Sequence, residues 1–231
     1  MSDTQHDFHC NNALSAKLAR TVAGDLRDAI AARGKARLAV SGGSTPATFF
    51  SALSREQLDW RRVAITQVDE RWVHEDDADS NARLIRENLL RNEAARARFI
   101  SMKTGAASPF EAEQAASEKL SEFAAGIDVV VLGMGEDGHT ASFFPGAETL
   151  ARALDPQGES LCVAVRPLHA PHERMTLSLP VVLGAGRRYL QIVGPRKLEV
   201  LRQAQAGGEV AEMPIRAVLG SELDIYYANR N

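Results

Sequence analysis

The chain has 231 residues, 45% of them apolar and 25% charged, a balance that suits one globular α/β domain over residues 1–231. Its formal net charge of -3 provides no basic field to concentrate nucleic acid or anionic lipid, so neither is an expected partner. No apolar run approaches the ~20 residues that cross a bilayer. The N-terminal MSDTQHDFHCNNALSAK lacks a signal-peptide core, and Cys10 and Cys162 are too few for a disulfide framework; a reducing cytoplasm is the expected setting.

After a polar lead-in, where His6 and His9 are expected to be mobile, Leu14, Leu18, Val22, Leu26 and Ile30 recur every four residues. They predict an amphipathic helix ending near Gly34. Short apolar runs at 37–40, 63–68, 98–102, 127–132, 161–165, 189–193 and 223–227 then predict strands. Helical segments at 46–53, 80–90, 110–123 and 197–204, with a short turn from Pro214, separate most of them. Strands alternating with helices, and continuously apolar strands such as VVVL, predict a three-layer α/β fold with a mostly parallel central sheet. The segment 144–161 carries no clear period, and AQAGGEVAEMP reads as a surface loop.

Ligands of open parallel sheets sit beyond the carboxyl ends of strands. The first such loop, in LAVSGGSTP (38–46), has glycines that let backbone N–H groups approach an anion at a helix start. It reads equally well as a tight turn capped by Ser44 or Thr45, with Pro46 at the first helical position. It lacks the G-x-x-x-x-G-K of a nucleotide triphosphatase. The second, VDERWV, sets Asp69, Glu70 and Arg71 side by side at a strand end. Such a triplet is commonly a solvated, salt-bridged edge, and alternatively supplies a ribose-binding acid. In the following HEDDADSN, Asp79 or Ser80 is placed to cap the next helix.

In DVVVLGMGEDGHTASFFPG, Gly133, Gly135 and Gly138 match G-x-G-x-x-G, but the match follows the fourth strand rather than the first. Pro145-Gly146 also leaves no room for the helix a dinucleotide site needs. What the loop offers is Asp137 two residues before His139, whose imidazole, with an ordinary pKa of about 6.5, can accept a proton at neutral pH. His74 sits in an acidic loop, the HAPH run at 169–172 has no third metal-type ligand nearby, and no metal site is expected. Arg174, opening RMTLSLP, and Lys197, closing GPRK, are each ordinary surface charges when taken singly. Combined with SGGST they can enclose a phosphate.

Four of these segments, LAVSGGSTP, VDERWVHEDDADSN, GMGEDGHTASFFPG and RMTLSLP, with VGPRK as a looser fifth, resemble the 6-phosphogluconolactonase family in family order from residue 38 to about 197. The related glucosamine-6-phosphate deaminases have an aromatic residue in place of Arg71 and an acid shortly before the proline, where this chain has Phe143 and Phe144. His74 stands where proline is usual, Phe143 replaces a leucine and Asn229 an aspartate.

The resemblance implies a Rossmann-like fold without a bound dinucleotide, and a hydrolase without metal or cofactor that opens 6-phospho-D-glucono-1,5-lactone. His139 would be the general base, its tautomer set by Asp137. Arg71 would stabilise developing negative charge, with Asp69 and Glu70 positioning it or the sugar hydroxyls. Ser41, Gly42, Gly43, Ser44 and Thr45 would bind substrate together with Gly135, Thr140, Arg174 and Lys197, the last two cations gripping the phosphate. The rival readings are a deaminase-like enzyme, a phosphosugar-binding module without turnover and, last, an NAD-dependent oxidoreductase.

Overall fold

A computed structural model describes residues 3–43 and 45–230. In chain order the elements are β1 (Thr4–Phe8), α1 (Asn11–Arg33), β2 (Ala36–Val40), α2 (Ala47–Leu53), β3 (Val63–Gln67), β4 (Asp69–Arg71), α3 (Asn81–Asn88), β5 (Arg98–Phe99) and α4 (Pro109–Lys119). They continue with α5 (Ser121–Ala124), β6 (Val129–Leu132), α6 (Leu150–Ala153), β7 (Cys162–Val165), β8 (Arg174–Leu177), α7 (Leu179–Leu183), β9 (Arg187–Val193), α8 (Pro195–Gln205) and β10 (Leu223–Ala228).

Seven strands form a parallel sheet in the order β1-β10-β9-β6-β2-β3-β5. Its centre, β2, β3 and β6, is buried residue by residue, because helices cover both faces and leave no polar side for alternation. On one face Leu14, Leu18, Val22 and Leu26 of α1 pack with Phe49 and Phe50 of α2 and Ile85 of α3. On the other, Ala112 and Ala116 of α4 meet Val200 and Leu201 of α8 and the apolar residues of β7 and β8. Each large side chain so buried contributes roughly 1.5–3 kcal/mol. The helix α1 stops where expected: Gly34, at φ 75°, turns left-handed and returns its N–H to the Ile30 carbonyl.

Several sequence expectations shift. The polar lead-in is structured: residues 4–8 are the edge strand β1, parallel to β10, and His6 pairs with Asp224 at 3.2 Å and packs on the Tyr226 ring. An edge strand with an exposed face shows no continuous apolar run, so pattern alone passes over it. The run 161–165 is a strand, β7, but in a separate antiparallel sheet, β4-β8-β7. The short 166–173 connection to β8 suits a hairpin and is too short for a parallel crossover. The run 98–102 contracts to the two residues of β5, and the helix expected at 110–123 breaks at Leu120 into α4 and α5. Pro46 is the N-cap of α2 rather than its first residue; Ser44, one proposed cap, lies outside the described residues. Ser80, not Asp79, caps α3, its hydroxyl accepting from the Arg83 N–H.

From β2 the chain proceeds to β3 and β5 on one side, then crosses back to β6, β9 and β10 on the other. The reversal lies between β2 and β6, where the carboxyl ends of open α/β sheets form a crevice. The loops after β2, β3, β6 and β9 all open there. Among the described residues no helix is long and apolar enough to cross a membrane.

Candidate active site

A cleft of about 280 Å³ occupies that crevice. The loop after β2 forms one wall. Ser41 N–H extends the sheet by bonding the Val131 carbonyl at 2.9 Å, and the chain then turns at Gly42 and Gly43. A Cβ on Gly42 would lie 1.9 Å from Asn81 Oδ1, so only glycine lets the backbone pass under this amide. Gly43, at φ 99°, completes the turn, and Thr45 also lines the cleft.

The loop after β6 is built around His139. Asp137 Oδ1 accepts from His139 Nδ1 at 2.5 Å and from its backbone N–H at 3.1 Å. Burial acts to raise the Asp137 carboxyl, but the hydrogen bonds it accepts from the His139 ring and backbone oppose this, and the carboxyl is held below its ordinary range. The carboxylate is therefore the acceptor, Nδ1 carries the proton, and Nε2 is left to take one. Gly135 supplies the floor: a Cβ there would lie 2.2 Å from His139 Cε1 and Nδ1. Phe144 backs the ring at 4.3 Å between centroids. Thr140 is buried and donates to the Gly133 carbonyl at 2.8 Å, which pins the loop from beneath rather than lining the cleft. No helix continues from Gly138, as the proline-limited reading of this loop expects.

Asp69, Glu70 and Arg71 are not a solvated edge. They form β4, paired antiparallel with β8 so that Arg71 stands opposite Arg174. Glu70 is 1% exposed and accepts from the Asn81 and Ala82 N–H groups, both at 2.7 Å, and from the Arg71 N–H at 2.8 Å. Gln67 Nε2 and Ser80 Oγ add further bonds. Burial pushes the Glu70 carboxyl up, with the Asn81 and Ala82 amides opposing. It closes the N-terminus of α3 and does not line the cleft. Asp69 does line it, with Oδ2 accepting from Ser142 Oγ at 2.6 Å. Arg71 also lines it, steadied by Nη1 donating to the Asp79 carbonyl at 2.6 Å.

Lys197, in the first turn of α8, faces the same opening. Burial depresses its ammonium, with Glu136 opposing. Arg174 lies behind the lining, 5% exposed, with its guanidinium 5.8 Å from the centre of the Phe144 ring. Burial works against its charge and Asp69 supports it. Its Nη1 and Ser41 Oγ are buried polar atoms without a hydrogen-bond partner among the described residues.

Thus Ser41, Gly42, Gly43, Thr45, Asp69, Arg71, Gly135, His139 and Lys197 converge on one cleft. Asp137, Glu70, Thr140 and Arg174 support it from outside the lining, and Ser44 is outside the described residues. The sequence reading missed Asn81 and Gln191. Asn81 donates to the Asp69 carbonyl at 2.8 Å, and Gln191, on β9, bonds Asn11 at 3.3 Å. The segment quoted for the resemblance ends on Asn81, a signal present but not singled out; Gln191 sits inside an apolar strand and offers none. A proton acceptor, a guanidinium and an ammonium around one small opening can activate water, neutralise an oxyanion and anchor an anionic substrate.

The family described as glucosamine-6-phosphate isomerases/6-phosphogluconolactonase matches residues 10–227. A 6-phosphogluconolactonase of Rhizobium meliloti is 48% identical over 231 residues, 99% of this chain and 100% of that protein. The crystal structure of a 6-phosphogluconolactonase from Shewanella baltica superimposes with a TM-score of 0.95 at 45% identity, covering 98% of each chain. A monomeric glucosamine-6-phosphate deaminase, 18% identical, shares the fold with a TM-score of 0.80 over 99% of this chain and 97% of its own.

Proposed function

The chain belongs to the glucosamine-6-phosphate isomerase/6-phosphogluconolactonase family, and from that membership we propose that it hydrolyses 6-phospho-D-glucono-1,5-lactone to 6-phospho-D-gluconate in the oxidative pentose phosphate pathway. The observation that carries the reading is His139. Its Nδ1 is tied to Asp137, which leaves Nε2 free in a cleft whose other walls present Arg71 and Lys197.

His139 Nε2 takes a proton from water as the oxygen attacks the lactone carbonyl carbon. The electron pair displaced onto the carbonyl oxygen is stabilised by the Arg71 guanidinium, an interaction whose loss costs ~3 kcal/mol in comparable oxyanion sites. When the tetrahedral intermediate collapses, the bond to the ring oxygen breaks and the imidazolium returns its proton to that oxygen. Asp69 orients sugar hydroxyls, and Glu70 fixes the backbone of Arg71. Lys197 and the N–H groups of Gly42 and Gly43 hold the phosphoryl group, and Arg174 adds charge from behind the lining, where low polarity strengthens it. Binding energy at the phosphate then aligns the distant carbonyl. We place the enzyme in a reducing cytoplasm, in keeping with its two free cysteines.

The test is formation of 6-phosphogluconate from the lactone by purified protein with a chelator present, after subtraction of spontaneous hydrolysis. Turnover above that background supports the reading. Ammonia release from glucosamine 6-phosphate without lactonase activity would replace it with the deaminase chemistry.

A further inference from the structure

The loop 166–173 between β7 and β8 touches the chain at two places behind the cleft lining, the end of the His139 loop and Asp79. Leu168, 63% exposed, reaches to 2.7 Å from where a Cβ on Gly146 would be, next to Pro145 at the end of the His139 loop. At the other end of the loop, His172 Nε2 lies 3.1 Å from Asp79 Oδ2. Asp79 accepts there as a carboxylate, so Nε2 carries the donated proton. The carbonyl of the same Asp79 accepts from Arg71 Nη1. The backbone carbonyl of the next residue in the loop, Glu173, accepts the Trp72 N–H at 2.8 Å, so the same loop also holds the backbone just after Arg71.

His172 holds a left-handed backbone, φ 67°. A non-glycine residue is uncommon there, and glycine would adopt the conformation without strain. Strain of this kind persists where surroundings over-determine it and clusters at functional positions. The pair itself is half in solvent, with side chains 34% and 56% exposed, so it adds little to stability. Little stability and a strained backbone together leave the contact with Asp79 as the reason for an imidazole at this position.

We propose that His172 is a positioning residue, which fixes Asp79 through its side chain and thereby holds the Arg71 guanidinium in register with the lactone carbonyl. The proposal rests on the role assigned to Arg71 above. A small misplacement of such a group costs rate far more than binding.

The experiment compares kcat, KM and Tm for H172G, H172Q, D79N, the H172G/D79N pair and R71A. Glycine relieves the left-handed backbone while removing the imidazole, so H172G is expected to melt no lower than the parent yet lose about tenfold in kcat, with KM little changed. H172Q retains an N–H donor of similar reach and is expected to recover most of that loss. The double variant should be no slower than H172G alone, because both changes break one link. Parental kcat in H172G alongside an inactive R71A would overturn the proposal and leave the role of Arg71 standing. Parental kcat in R71A would remove that role and the proposal with it. A change confined to KM in H172G, or kcat and Tm falling together, would also overturn it.

Discussion

At the scale of single residues, the proposed chemistry turns on the tautomer of His139. Because Asp137 accepts the hydrogen bond from Nδ1–H, the basic nitrogen is Nε2, and its removal should affect the chemical step rather than recognition. His139→Ala is expected to lower kcat by ~10²–10⁴ with only a modest change in KM, as measured by initial rates corrected for spontaneous hydrolysis. In the same proposal Lys197 holds the phosphate at the opposite end. Its ammonium is depressed by burial, so it sheds its proton at a pH below the usual lysine range. A phosphate dianion needs the charged form, and affinity for 6-phosphogluconate should therefore weaken as pH rises through that depressed value. Calorimetric titration across neutral to alkaline pH tests this; Lys197→Arg should keep its affinity further into the alkaline range. These two residues were legible in the sequence because each belongs to a short segment marked by glycine or proline. Gln191 was not, because a polar residue inside a buried strand looks the same whether it meets a ligand or a neighbouring amide.

At the scale of elements, β4 and α3 act as one unit. The Glu70 carboxylate joins them by accepting the first N–H groups of α3, which an isolated helix would leave without partners. Glu70→Ala strands those buried donors and should cost ~3 kcal/mol in denaturant-induced unfolding. Activity should fall as well, since Arg71 and Asn81 both depend on this junction. An unchanged unfolding midpoint would show that water replaces the carboxylate. The triplet Asp69-Glu70-Arg71 was visible as a cluster of charges, but its burial was not. A buried carboxylate with five donors and a solvated one are spelled with the same letter, and the donors come from residues up to a dozen positions downstream. Strand β1 shows the converse limit, since its partner β10 lies at the far end of the chain.

For the whole molecule, the consequence of the strand order is that the cleft straddles the reversal between β2 and β6. The loops after β2 and β3 come from one side of the sheet, and those after β6 and β9 from the other. A ligand bound across that line ties the two sides together and stabilises the native state by mass action. At a hundred times its dissociation constant, 6-phosphogluconate should add ~2.7 kcal/mol to unfolding, seen as a rise in Tm. In Lys197→Ala the same concentration should give a clearly smaller rise. An equal rise in both proteins would place the product elsewhere.

What the sequence by itself determined was local: where strands end and helices begin, and which loops hold glycines, a histidine beside an acid, and cations in reach of a phosphate. Those features follow from backbone sterics and from the chemistry of neighbouring residues, which act over a few positions. Only the tertiary structure decided that β7 leaves the parallel sheet, that Glu70 and Arg174 turn away from the opening, and that Asn81 and Gln191 join the lining of the cleft. These outcomes depend on strand order and register, which bring together residues dozens of positions apart through packing that no short stretch of chain encodes.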